Sequence, residues 1–154
     1  MQKIAHDRFD EAILAIVQRN NQMSHAAIGA QVNLSASAVR RRLKAMRDNG
    51  TIFADVALVD PARQGLSFIV QVYFEREDPQ AIAAFIAQMR SETRVSQCYS
   101  VSGECDFWLV VHAHTPEAFE AWGQAALMAN PKIRRYSTSL VWSRQVFRTA
   151  VSGV

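Results

Sequence analysis

The chain contains few of the residues that mark several common protein classes. Among its 154 residues there are two cysteines, four prolines and six glycines. No apolar run approaches the roughly 20 residues that a transmembrane helix needs, so we expect no membrane partner. Cys98 and Cys105 are too few for a disulfide framework, which favours a reducing compartment. The first residues lack the basic-then-apolar pattern of a signal peptide, so we expect a cytoplasmic protein.

The chain also lacks the short motifs that carry much of enzymatic chemistry. It has no Walker loop, no dinucleotide-binding fingerprint and no nucleophile elbow. Cys98, Cys105, His112 and His114 do not have the spacing of a zinc site, and we expect neither a metal nor another cofactor. Apolar residues make up 49% of the chain, which is enough to build one good core or two small ones.

The positive charge of the chain is concentrated in one segment. The net charge is only +3, but residues 35–50 hold five cations against a single acid, Asp48. The surplus of positive charge therefore belongs to this segment, and its placement matters more than its total. The five cations are Arg40, Arg41, Arg42, Lys44 and Arg47.

The first 50 residues predict three helices with a tight turn between the second and the third. Ser24 and Ser35 are candidate N-caps of these two helices, and Asn33 occupies the turn, where a left-handed backbone is usual. Gly29 lets the two helices approach closely, and Gly50 follows the end of the third. This is the layout of a helix-turn-helix whose second helix enters the DNA major groove.

The cations of the third helix lie opposite its apolar stripe. At about 100° per residue, Arg47, Arg40, Lys44, Ser37 and Arg41 fall between roughly 80° and 200° from Val39. Arg42 lies at the edge of the stripe, so we expect it either to pack there or to reach a phosphate. A solvated basic face is the alternative, but the preceding turn and the scarcity of acids favour DNA. Arginine suits guanine edges and serine suits phosphates. We therefore predict a DNA interface of Ser24, Ser35, Ser37, Arg40, Arg41, Arg42, Lys44 and Arg47.

After Gly50 the apolar period changes to two, and residues 52–59 predict a strand. We expect a winged helix-turn-helix domain over residues 1–60, a hinge over 61–66 and a second domain over 67–154. The second domain has the order strand, helix, strand, strand, helix, strand, with the last strand running from Ile133 to about Phe147. This βαββαβ order predicts an α+β, ferredoxin-like fold with both helices on one face of the sheet.

The other face of that sheet would be bare unless a second copy covered it. We therefore expect a homodimer that shields Tyr73, Trp108 and Trp142, although each of them could instead belong to the core on the helix side.

Five short motifs occur in a fixed order along this layout. They are Asp7-x-x-Asp10-x-x-Ile13-Leu14, Leu34-Ser35-x-Ser37-x-Val39-x-x-Arg42-Leu43, Gly50-x-Ile52, Ser102-Gly103-x-x-Asp106 and Pro131-x-Ile133. Together they resemble the Lrp/AsnC family of bacterial and archaeal transcription regulators. The resemblance implies sequence-specific binding of double-stranded DNA, dimers that often assemble into tetramers or octamers, and amino-acid effectors bound at subunit contacts near the Gly-x-x-Asp turn.

For an effector, the resemblance points to Ser102, Gly103, Glu104, Asp106 and Thr138. Gly103 would let the main chain approach a ligand closely, and Asp106 could pair with an ammonium group. The alternative is a plain hairpin turn in which glycine supplies a positive φ and the aspartate caps the loop. Met23 replaces the family's usual arginine and Cys105 its usual Tyr or Phe, which leaves open an atypical effector, no effector, or redox sensing.

An enzyme is the alternative function. Some sirohaem decarboxylases resemble this family and use His and Arg around a tetrapyrrole. The basic third helix favours a non-enzymatic regulator, because such an enzyme need not keep a DNA-reading face. Sirohaem binding with a visible Soret shift would identify the enzyme.

Overall fold

The chain forms two units, which are described separately. The computed structural model describes residues 6–60, 63, 65–76 and 78–150. The first unit comprises the described residues within Met1–Leu58 and Gln145–Val154, and the second is Val59–Arg144. Residues 61, 62 and 64 of the expected hinge, and residues 151–154 of the expected second domain, lie outside the described residues. None of the described helices combines the length and hydrophobicity that crossing a membrane requires.

Three helices form the first unit: α1 (Arg8–Val17), α2 (His25–Val32) and α3 (Ala36–Asp48). The predicted caps are confirmed, since Ser24 Oγ accepts from the Ala27 N–H and Ser35 Oγ from the Ala38 N–H. Asn33 adopts the left-handed conformation at φ 56° that the predicted turn requires. The helices bury one shared core, which consists of Ile13, Ile28, Val32, Val39, Leu43 and Met46.

Gly29 is required by the packing of the turn that joins α2 to α3. A Cβ placed on Gly29 would lie 2.3 Å from the carbonyl oxygen of Leu34, far inside van der Waals contact. The backbone of α2 at Gly29 is therefore in direct contact with the backbone at Leu34, and the position of α3 against α2 depends on a residue without a side chain.

The expected strand over residues 52–59 does not form, because residues 51–60 make no strand pairing. Their alternating pattern is strand-like, but a strand needs a neighbour to accept its backbone hydrogen bonds. Phe53 is accordingly 95% exposed. The last strand is also shorter than predicted and ends at Leu140 instead of near Phe147. Its partner strand begins at Leu66, so the two run out of paired residues together.

The second unit contains β1 (Leu66–Phe74), α4 (Pro79–Ser91), β2 (Val95–Ser100), β3 (Phe107–Ala113), α5 (Pro116–Gly123) and β4 (Ile133–Leu140), with a π-helical stretch, Gln124–Met128, directly after α5. The strands form one antiparallel sheet in the order β2-β3-β1-β4. Helices α4 and α5 pack on one face, where Val70, Val72, Leu109 and Val111 are fully buried. The predicted βαββαβ arrangement is confirmed.

No helix of the described residues of this unit packs on the opposite face of the sheet. Tyr73 and Trp108 alternate with the helix-side residues and lie outside the core on that side. Tyr73 is shielded by the Arg135 guanidinium, which lies 3.6 Å from its ring centroid, whereas Trp108 is 40% exposed. Trp142 follows β4 and is 92% exposed. The open face therefore presents aromatic surface, as the sequence predicts.

Candidate nucleic-acid interface and effector turn

Two arginines on the outer face of α3 remain available for a ligand. Val39, Leu43 and Met46 anchor the inner face of this helix in the core, which turns Arg40 and Arg41 outward to solvent. Within the described part of the chain, neither side chain makes an ion pair or a hydrogen bond. These two guanidinium groups project just after the tight turn, where a recognition helix contacts base edges.

Arg42 has a different role, because its guanidinium braces α3 against α1. Its Nη1 lies 2.8 Å from a carboxylate oxygen of Asp7 and 2.8 Å from one of Asp10. The hydrogen bonds that Arg42 donates to the Asp10 and Asp7 carboxylates raise the pKa of Arg42 above its usual value. The pKa of Asp7 is lowered, chiefly by the backbone N–H of Asp10 and also by Arg42. The Arg42 side chain is only 26% exposed, so this member of the predicted DNA interface is already engaged within its own unit.

We predict that Arg42→Gln lowers the free energy of unfolding by about 1 kcal/mol, because it removes two ion pairs at the α1–α3 contact. Chemical denaturation would measure the change, and Arg41→Gln on the exposed face is the matched control with unchanged stability. DNA affinity of the folded Arg42→Gln protein should stay within about threefold of wild type. A lower salt dependence of DNA binding for Arg42→Gln would contradict this assignment and indicate a phosphate contact.

The other two predicted cations also have partners, but exposed ones. Lys44 pairs with Asp48 one turn later in α3. Arg47 Nε donates to Asp55 Oδ2 over 2.7 Å, and this hydrogen bond raises the pKa of Arg47 and lowers that of Asp55. Exposed pairs are weak and are readily exchanged for a phosphate. Lys44 and Arg47 therefore remain chemically suited to contacts with DNA phosphates.

The three predicted serines lie at the N-termini of α2 and α3. Ser24 and Ser35 are N-caps, and their oxygens accept backbone N–H groups. The Ser35 and Ser37 hydroxyl oxygens are 3.0 Å apart. The capping oxygen of Ser24 accepts a backbone N–H, which leaves its hydrogen to donate to a phosphate oxygen, whereas one hydroxyl of the Ser35–Ser37 pair donates to the other.

The turn between β2 and β3 holds four of the five predicted effector residues. Ser102, Gly103 and Glu104 are exposed, and Gly103 has a φ of +140°, which L side chains rarely adopt. A Cβ on Gly103 would meet nothing within 4 Å, so one protomer alone does not make a close approach there.

Asp106 closes that turn by binding β1. Its Oδ2 accepts from the Phe74 N–H at 2.7 Å, and its own N–H donates to the Val72 carbonyl at 3.0 Å. This is the loop-capping role that the sequence leaves open as an alternative to ammonium pairing. Thr138 lies on β4, where it pairs with Val70 of β1. Strand β4 is two strands away from β3 in the sheet, so the structure does not bring Thr138 to the turn within one chain.

We predict that Asp106→Ala lowers the free energy of unfolding by about 1–2 kcal/mol, because the half-buried Phe74 N–H loses its acceptor. Thermal or denaturant unfolding would measure this change. Glu104→Ala, which alters an exposed carboxylate in the same turn, should leave stability unchanged. Equal stabilities of the two variants would show that the Asp106 carboxylate does not hold the turn.

Two of the cysteine and histidine side chains of the second unit, Cys105 and His112, have hydrogen-bond partners within the fold. Cys105 is buried and its Sγ accepts from Trp108 Nε1 at 3.0 Å. His112 bridges two hydroxyls, with its Nδ1 3.0 Å from Ser67 Oγ and its Nε2 2.8 Å from Ser96 Oγ. Burial lowers the pKa of His112, which favours the neutral ring. Among the described residues no group of three His, Cys, Asp or Glu side chains could hold a metal ion.

Some important residues were missed by the sequence analysis. Asp7 and Asp10 are partners of Arg42, and Asp55 is the partner of Arg47. The only local signal was that α1 starts with two acids three residues apart, which predicts a capping box but not an ion pair with α3.

Comparisons with known proteins cover both units. Residues 7–47 match the AsnC-type helix-turn-helix domain, and residues 67–151 match the Lrp/AsnC ligand binding domain. The chain is 36% identical over 140 residues to an uncharacterised helix-turn-helix transcriptional regulator of Sinorhizobium fredii, covering 90% of this chain and 83% of that protein. It is 30% identical over 150 residues to another such regulator of Haemophilus influenzae, covering 96% of this chain and 88% of that one.

A solved structure also matches over most of the chain. It is a transcriptional regulator of Neisseria meningitidis in complex with L-Met, with a TM-score of 0.85, 26% sequence identity and 96% coverage of both chains. The helix-turn-helix and ligand-binding domain matches agree with the two units described above. The chain belongs to the Lrp/AsnC family of helix-turn-helix transcriptional regulators.

Proposed function

We propose that this regulator binds double-stranded DNA by placing α3 in the major groove, with Arg40 and Arg41 as the base-reading residues. The observation that carries the proposal is that the five cations of α3 differ in their ion-pair partners. Arg42 is used internally, Lys44 and Arg47 hold exposed acids, and Arg40 and Arg41 are unpaired in the described chain. Guanidinium groups at this place on a recognition helix pair bidentately with guanine O6 and N7. From a role on genomic DNA we infer that the protein acts in the cytoplasm.

The open sheet face supports a homodimer as the binding species. Trp108 is 40% exposed and Tyr99, opposite it on β2, is 54% exposed. In a two-fold symmetric dimer, a second copy would bury this aromatic surface against its own copy of the same face. Such a dimer would present two copies of α3 to two DNA half-sites. Tetramers and octamers could form from such dimers. Sedimentation velocity tests this step, and a Trp108→Arg variant should shift the protein toward monomer.

The turn at Ser102–Asp106 supports an amino-acid effector bound where subunits meet. Its exposed glycine has no contact above it within one protomer, and the structural relative from Neisseria meningitidis was solved with L-Met. Backbone N–H groups at this turn suit a carboxylate, and Thr138 would have to come from a neighbouring subunit. An effector at such a contact would change the spacing of the two recognition helices, which couples ligand binding to DNA binding.

One experiment tests the DNA proposal without knowledge of the target genes. Genomic fragments bound by the purified protein are selected and sequenced, with and without the twenty amino acids. We expect an inverted repeat whose half-sites are about 10–10.5 base pairs apart, or a multiple of that distance. Recovery of fragments with no shared sequence would contradict sequence-specific recognition, whereas an unchanged selection with every amino acid would contradict only the effector.

A further inference from the structure

A groove in the second unit is used neither by the DNA interface nor by the effector turn. It lies between α4 and the edge strand β2 and encloses about 340 Å³. Ile86, Met89 and Phe107 provide apolar surface, and the polar lining includes Arg90, Cys98 and Ser100. This volume is at the small end of the range for small-molecule sites in proteins, about 300–1,000 Å³.

The positive charge of the groove has no acidic partner. Arg90 lies in the last turn of α4, is exposed, and makes no ion pair in the part of the chain that the structure describes. Arg90 lines the groove together with Cys98. Its positive charge opposes the rise that burial causes in the pKa of the Cys98 thiol. The groove thus combines an apolar floor with one unsatisfied cation at its rim.

The charges of the groove also restrict the class of ligand. None of the described residues that line it is acidic, so nothing there would neutralise an ammonium group. A free amino acid would therefore carry a charge that the groove does not match. An acid with an alkyl tail and no amino group fits both the cation and the apolar surface.

We propose that the groove between α4 and β2 binds a short aliphatic monocarboxylate, with the carboxylate on Arg90 and Ser100 and the tail against Ile86, Met89 and Phe107. This is a second small-molecule site, distinct from the amino-acid site at the Gly103 turn. It goes beyond the proposed function and does not depend on DNA binding.

Isothermal titration calorimetry of the full chain tests the site with 4-methylpentanoate as the probe. We expect a Kd of about 0.1–1 mM, the range for a ligand with fewer than ten non-hydrogen atoms. Affinity should fall at least about tenfold for the neutral 4-methylpentanamide and for Arg90→Gln, since both remove the charge-assisted hydrogen bond. Arg94→Gln, an exposed arginine outside the groove, is the matched control and should bind normally. L-Leucine, with the same tail and an added ammonium, should bind this site at least about tenfold more weakly.

The reactivity of the Cys98 thiol, which lines the groove, shows whether the probe binds there. Alkylation of Cys98 by iodoacetamide, followed peptide by peptide, should slow when 4-methylpentanoate is present in wild type and not in Arg90→Gln. The proposal is overturned if 4-methylpentanoate does not bind, if it binds Arg90→Gln equally well, or if it leaves Cys98 unprotected. It is also overturned if L-leucine binds the groove as tightly as 4-methylpentanoate. A further contradicting result is that Cys98 reacts only when the oligomer dissociates, because a second copy of the chain would then cover the groove. Selection of genomic DNA by Arg90→Gln should match wild type in every case, which keeps this test separate from that of the DNA proposal.

Discussion

The double charge reversal Arg40→Glu with Arg41→Glu is expected to lower the affinity for the selected DNA site by at least about a hundredfold. Each guanidinium that reads a base contributes about 1–3 kcal/mol to discrimination. The reversal adds repulsion from the phosphate backbone to the loss of both contacts. Because both side chains are exposed and unpaired within the described structure, stability should not change. Fluorescence anisotropy at fixed salt would measure the affinity, and circular dichroism the fold.

A matched variant separates reading of DNA from the general effect of charge. Arg76→Glu reverses an exposed arginine in the second unit, after β1, and should reduce DNA affinity by less than about threefold. The single variants Arg40→Ala and Arg41→Ala distinguish the two roles. A base-reading residue loses preference for the selected site, whereas a phosphate contact lowers affinity for all sequences alike and reduces the salt dependence. Unchanged binding by the double reversal would remove α3 from the interface.

The second large effect is expected from Gly29→Ala, which should destabilise the first unit by about 2–3 kcal/mol. A new Cβ would lie 2.3 Å from the Leu34 carbonyl oxygen, and the obstacle is backbone, so the turn between α2 and α3 must open. Stability is only about 0.05–0.15 kcal/mol per residue in ordinary domains, so this loss is large for a three-helix unit. Denaturant unfolding followed by helical circular dichroism would measure it, and DNA affinity should fall as α3 moves.

The expected loss of stability for Gly29→Ala is opposite in sign to the usual effect of this substitution in a helix. In an unobstructed helix, replacing glycine by alanine stabilises by about 1 kcal/mol, because alanine has the higher helix propensity. Ala26→Gly, at an exposed position in the same helix, is the control and should cost about that amount through propensity alone. A gain in stability from Gly29→Ala would show that the turn is not closely packed.

Local features of this fold could be predicted from the sequence, because their physical causes are local. Ser24 and Ser35 cap the helices that follow them, and Asn33 takes the left-handed turn, as short-range rules require. The order of the elements in the second unit follows from period and turn residues in the same way. The βαββαβ order then leaves few topologies, and the observed strand order is one of them.

The features that sequence reasoning missed depend on partners far along the chain. Residues 52–59 have the alternation of a strand, but no described strand pairs with them, and β4 stops where its antiparallel partner β1 begins. Arg42 reads as a DNA contact until α1 places Asp7 and Asp10 beside it. For Asp106 the sequence leaves ligand pairing and loop capping open, and only the fold shows that the Phe74 N–H of β1 donates to its carboxylate. No spacing within a short segment reports such contacts.

Hydroxyl-radical footprinting on the selected site, at low salt, tests the central claim that the outer face of α3 contacts duplex DNA. The predicted result is two protected regions centred about 10–10.5 base pairs apart, or a multiple of that distance, which wild type gives and Arg40→Glu with Arg41→Glu does not. Equal protection by both proteins, or no protection by wild type on any selected fragment, would contradict the claim.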